Sequence, residues 1–226
     1  MYYYVIDIET VGVDAKIHEI TEVSIVRCSD LVQKTWLLRI NHPENCQTQA
    51  LIITKKTKEE LTSRSKDLND VIDDINSFIE EDGGKPDERV MIAHNAPFDR
   101  RFCETWWKKL NKTFPANMWE CTMQMARKHM KIVIPGEKKP KATLIDLIQR
   151  FKIKAETKYH GAGPDTRNTY RLRDYLLKQG TIKETQFIKK SENVLAREKE
   201  MITSNDYEDD EAMGDMFDFG EENTTE

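Results

Sequence analysis

The stretch from Tyr4 to Gly12, YVIDIETVG, limits what this chain can fold into more than any other. Apolar and acidic residues alternate along it, and side chains two apart on a strand share a face. A strand over residues 2–8 puts Asp7 and Glu9 on one face beside Val5 and sends Ile6 and Ile8 to the other. Two neighbouring carboxylates on an apolar strand repel each other unless a positive charge lies between them. A divalent cation with oxygen preference, Mg²⁺ or Mn²⁺, meets that need. The same alternation also describes an amphipathic strand with one wet face, so the rest of the chain has to decide.

With 226 residues the chain is long enough for one sizeable domain with a buried core. No apolar run approaches the length of a membrane span, and the N-terminal MYYYVIDI lacks the basic region of a signal peptide. Cys28, Cys46, Cys103 and Cys121 form no C-x-x-C pair, which argues against a zinc ribbon or a disulfide framework. Reduced thiols in a cytoplasmic protein are expected. The net charge of −5 is unevenly spread: residues 204–226 hold ten acids and no Lys or Arg. Residues 1–203 therefore carry 30 acids against 35 bases, a mildly basic body compatible with a polyanionic substrate.

Glu19 to Arg27 and Gln33 to Ile40 are rich in Val, Ile, Thr and Trp and read as strands 2 and 3 of an antiparallel meander. Asn41 to Thr62 reads as a polar connection with one apolar patch, Leu51 to Ile53. Leu68, Val71, Ile72, Ile75, Phe78 and Ile79 recur at helical spacing behind Asp67, a candidate N-cap. Arg89 to Ala93 reads as a short buried strand, followed by a helix after Asp99 and another over Met118 to Met130. Thr143 caps a helix facing inward through Leu144, Leu147, Ile148 and Phe151. KYHGAGPD reads as a Gly-rich turn and Thr166 to Gln179 as a helix. Strands first, then strand–helix alternation, give an α/β class: a mixed sheet with helices packed on it.

Three separated stretches then line up: DIE, with Asp7 and Glu9; AHNAPFDRRF, with Asp99; and YHGAGPD, with His160 and Asp165. In that order and context they resemble the DEDDh branch of the DnaQ-like 3′→5′ exonucleases, over roughly residues 2–178. The resemblance implies a ribonuclease H-like mixed five-stranded sheet, three antiparallel strands first and parallel additions after. It implies two Mg²⁺ or Mn²⁺ ions held by Asp7, Glu9, Asp99 and Asp165. Asp7 would bridge both ions, Glu9 and Asp165 would complete the site that activates water, and Asp99 would support the second. His160 would be the general base, its ordinary pKa of about 6.5 suiting the task. The tyrosine branch of the family carries a Tyr four positions before the last Asp; here that position is Gly161.

Plainer readings stand beside these. Asp99 and Asp165 each follow a break in pattern and can serve as helix caps. A lone loop histidine is commonly a solvated surface residue. His94 and Asn95 can simply close the buried strand, and His18, His42 and His129, with no motif around them, read as surface residues. Many members of the family have Thr-Thr-Gly after the acidic pair, where this chain has Thr10, Val11 and Gly12, so any hydroxyl contact from position 11 is lost. Pro164 is expected to hold Gly163 extended and to stiffen the loop carrying His160.

The resemblance further implies release of nucleoside 5′-monophosphates from a nucleic-acid 3′ end, with DNA favoured and RNA the alternative; a non-catalytic replication adaptor acting through the acidic tail is the other reading. Lys138, Lys139 and Lys141 lie in one basic loop, either touching the phosphate backbone or forming a solvated cluster. The expected organisation is an exonuclease domain over 1–180, a helical extension over 181–203 and a disordered acidic tail over 204–226. Within that tail DMFDF, Asp215 to Phe219, resembles the C-terminal clamp-binding peptides of T4-like phage DNA polymerases, which implies docking to a sliding clamp or another replication protein.

Overall fold

The computed structural model describes residues 1–133, 141–155 and 161–180. Their centre is a five-stranded mixed sheet in the order β3-β2-β1-β4-β5: β1 (Tyr2–Thr10), β2 (Ile20–Arg27), β3 (Gln33–Leu37), β4 (Arg89–Ala93) and β5 (Met118–Cys121). The first three pair antiparallel, and β4 and β5 add in parallel. This is the mixed α/β architecture expected above. β1 is central because it is buried on both faces, Tyr4, Val5 and Ile6 being fully enclosed.

One face of the sheet carries α3 (Leu68–Glu80) and α4 (Ala96–Lys109). Tyr4, Ile6 and Ile8 share a core there with Ile72, Ile75, Phe102 and Trp107. The periodicity read for α3 is the periodicity observed, and Asp67 does cap it, within a capping box closed by Asp70. The other face carries α7 (Ala162–Lys178), which lies across β1 and β2 and packs against α5 (Thr122–Val133) and α6 (Leu144–Arg150). Thr143 caps α6 as its sequence suggests.

Several expectations are corrected. The connection over 41–62 contains a 3₁₀ turn (Pro43–Asn45) and two short helices, α1 (Thr48–Thr54) and α2 (Lys58–Ser63). Each is only two turns or fewer, too short for periodicity to register. Met118–Cys121 is a strand, where a helix over Met118 to Met130 was expected. Four residues running straight into α5 leave no turn signal between them, and pairing with β4 makes the difference. His18 and His129 are buried, 6% and 4% exposed. The His18 ring lies over Gly12, where a Cβ would come within 2.4 Å of it, while His129 packs edge-on against Phe151 and Tyr175. His42 is a surface residue beside Glu44. Residues 181–203 and 204–226, His160, Lys138 and Lys139 lie outside the described residues. Among those described, no helix is long and apolar enough to cross a membrane, and all four cysteines are free thiols.

Candidate active site

The site forms where β1 outruns its parallel neighbour. The β1–β4 register runs only from Tyr2↔Arg89 to Val5↔Ile92, so beyond Val5 that side of β1 has no strand beside it. α4 fills the gap. Its N-cap Asn95 takes a left-handed conformation, Pro97 sits in the first turn, and Asp99 is the fourth helical residue. Asp99 therefore does not cap the helix. Its carboxyl is buried near the strand carrying Asp7 and Glu9, where its own amide and the Ile8 amide of β1 favour its charged form.

α7 closes the opposite side. It begins at Ala162, four residues earlier than its sequence suggested, because Gly161 serves as N-cap and Pro164 occupies the first turn, where a missing N–H costs nothing. Gly163 is consequently helical, not extended. Asp165 lies one turn into the helix, its amide bonded to the Gly161 carbonyl at 3.2 Å. A polar seam holds that turn on the sheet. Gln33 Nε2 donates to the Gly163 carbonyl (2.9 Å) and to Ser24 Oγ (2.8 Å), while Arg167 donates to Gln33 Oε1.

These placements bring together Asp7, Glu9 and Asp165, whose carboxylate oxygens all lie within 4.8 Å of one another. All three are half-buried. Burial, and behind it the charges of Glu9, Asp99, Asp165 and Glu22, holds the Asp7 carboxyl well above the ordinary carboxylate range. Glu9 is pushed up to about 8 by burial first, then by Asp165 and Glu22, with Lys56 pulling the other way. Asp99 is raised by burial against the opposite pull of its own amide and the Ile8 amide, Glu9 adding to the rise. An all-oxygen, half-buried cluster in which each acid makes its neighbours harder to ionise has the donor chemistry of a hard divalent cation site. The residues thus fit the group the sequence implied.

Two residues refine the sequence reading. Val11 is 1% exposed and forms a small core with Ile40 and Leu61, so its side chain anchors α2 to the end of β1 instead of facing a substrate. His94 bonds through its two ring nitrogens to Thr122 Oγ1 (2.9 Å) and the Ala142 carbonyl (2.8 Å), tying β4 to the start of α6, and burial lowers its pKa to about 4. Sequence reasoning missed Glu22 altogether. Its signal was present, an acid in a buried β-branched strand, but only the pairing Glu9↔Glu22 turns it toward the acids of β1.

The sequence profile of the exonuclease family RNase_T matches residues 4–173. The chain belongs to that family. Among curated relatives of this chain is the DNA polymerase III PolC-type of Thermotoga petrophila, 30% identical over 110 residues; that match covers 48% of this chain and 7% of the relative. Solved structures with the same fold include "Exonuclease X in complex with 5′ overhanging duplex DNA", at 21% identity and a TM-score of 0.53, covering 80% of this chain and 93% of that one. The nuclease domain of 3′hExo, "a DEDDh family member, bound to rAMP", matches at 14% identity and a TM-score of 0.62, covering 82% and 95%. At these identities the structural likenesses speak for the fold, whereas the family profile speaks for nuclease chemistry.

Proposed function

We propose that this exonuclease removes nucleotides from DNA 3′ ends by metal-dependent hydrolysis. The observation that carries the reading is the convergence of Asp7, Glu9 and Asp165, two from a strand and one from a helix 156 positions later, with their oxygens within 4.8 Å. Together with Asp99 they would hold two divalent cations. When bound, such ions neutralise charge on the scissile phosphate and on the departing 3′ oxygen.

The chain's own residues do the rest. The first turn of α4 carries Asp99, and the Gln33 seam holds the turn bearing Asp165, so both acids are positioned without substrate to organise them. His160, joined directly to the α7 cap residue Gly161, takes the proton from the attacking water. The new P–O bond forms from that water as the bond to the 3′ oxygen breaks, releasing a nucleoside 5′-monophosphate.

Removal of RNA 3′ ends is the second reading, favoured by the fold shared with a structure bound to rAMP. A time course on 5′-labelled DNA and RNA oligonucleotides tests both. Mg²⁺ should give a ladder shortening from the 3′ end, on DNA first, and EDTA or Asp7→Ala should leave the strand intact. Faster loss of the RNA ladder would shift the substrate, and no ladder on either would end the reading. His160→Ala should lower the rate by roughly 10²–10⁴-fold with divalent binding kept; an unchanged rate would remove His160 as the base.

We also infer, from the DMFDF string, that residues 204–226 tether the nuclease to a replication protein such as a sliding clamp.

A further inference from the structure

Glu22 stands on β2 directly opposite Glu9, so the two side chains leave the sheet on the same face. It is 7% exposed. No described residue hydrogen-bonds to it or pairs with it, whereas the buried Glu19 takes the Asn41 and His42 amides and the buried Glu120 takes the Arg173 guanidinium. Like charges directly opposite on a strand pair destabilise a sheet, and an enclosed carboxylate without a partner is costly. β-Branched or aromatic residues fill such positions readily. The charge of Glu22 is felt by both Asp7 and Glu9, which places it toward the acid cluster and not toward the core on the other face. Its neighbour across β3 is Leu37, an exposed apolar side chain that offers it no charge.

We propose that Glu22 is a fifth acid of the site, a positioning residue that faces Glu9 across the strand pair and sets how tightly Asp7, Glu9 and Asp165 take their divalent cation. The inference rests on reading those three as cation ligands. It makes Glu22 unfavourable in the metal-free protein and favourable once a dication is bound, two effects of opposite sign from one side chain. A carboxylate kept for packing alone has no reason to produce that pair.

The experiment uses the full chain and Mn²⁺ alone, without nucleic acid, comparing wild type, Glu22→Gln, Glu22→Asp and Asp7→Asn. Free Mn²⁺ is followed by electron paramagnetic resonance, and thermal midpoints are recorded in EDTA and in saturating Mn²⁺. Glu22→Gln should raise the midpoint in EDTA and weaken Mn²⁺ binding by roughly 10–100-fold. Glu22→Asp, keeping the charge, should bind much closer to wild type. Hydrolysis by Glu22→Gln should then need correspondingly more Mn²⁺. Binding by Glu22→Gln within twofold of wild type, or a lower midpoint in EDTA, would overturn the inference while leaving the cation site standing. Wild type and Asp7→Asn that both fail to bind Mn²⁺ would overturn the cation reading and this inference together.

Discussion

Glu9 shows at the scale of one residue how the site trades stability for readiness. A carboxyl raised from 4.5 to about 8 in the folded chain keeps its proton longer than the unfolded chain does. Between those values the folded state binds more protons, so stability falls as pH rises. The metal-free protein should therefore be most stable near pH 5, losing thermal midpoint steadily toward pH 8, with Asp7 and Asp99 acting in the same direction. Mg²⁺ should restore more of the midpoint at pH 8 than at pH 5, because only ionised acids bind it. Midpoints in EDTA and in Mg²⁺ across that range check both statements; a flat EDTA profile would contradict them. At this scale residue type and order sufficed to propose Asp7, Glu9, Asp99 and Asp165, of which Asp7, Glu9 and Asp165 lie together. Glu22 was not, since no short stretch around it reports what lies across the sheet.

Elements bring the acids together, and α7 does so through its seating on the sheet. At its far end Arg173 pairs with Glu120 of β5 at 2.6 Å, and its guanidinium also lies 4.7 Å from the centre of the Tyr3 ring. Both partners are buried, 9% and 3% exposed. Breaking such a pair from one side strands a charge, at a cost of about 3–5 kcal/mol, whereas removing both charges costs far less. Arg173→Met should thus lose about that much in urea unfolding, and the double variant with Glu120→Gln should recover most of it. Equal losses in single and double variants would mean that packing, not charge, holds the helix. The pair was invisible in the sequence because Glu120 falls in a segment whose strand character comes from pairing with β4. The capped helices α3 and α6, by contrast, were legible from Asp67 and Thr143, since a cap acts within three residues of itself.

Across the whole molecule, charge divides between a basic body and an acidic tail. Residues 1–203 carry five more bases than acids, while residues 204–226 carry ten acids and no Lys or Arg. Attraction of a polyanion to the body would be long-range and screened by salt, whereas the proposed docking by Met216, Phe217 and Phe219 would be apolar. Deleting residues 204–226 should leave hydrolysis of a short oligonucleotide at least as fast and should abolish capture by a sliding clamp in a pull-down. Equal capture with and without the tail would remove the tether.

The amino-acid order alone settled whatever acts over a few residues: the two-residue alternation of β1, the helical repeat of α3, the caps, and the succession of acids that marks the family. Tertiary structure decided what depends on neighbours distant in sequence. It turned Met118–Cys121 into a strand, enclosed His18 and His129, moved Asp99 from a cap to the fourth residue of α4, and set Glu22 against Glu9. Register is the physical reason. A strand shifted by one residue would turn every side chain to the other face, and only the packed sheet fixes which carboxylates share a cleft.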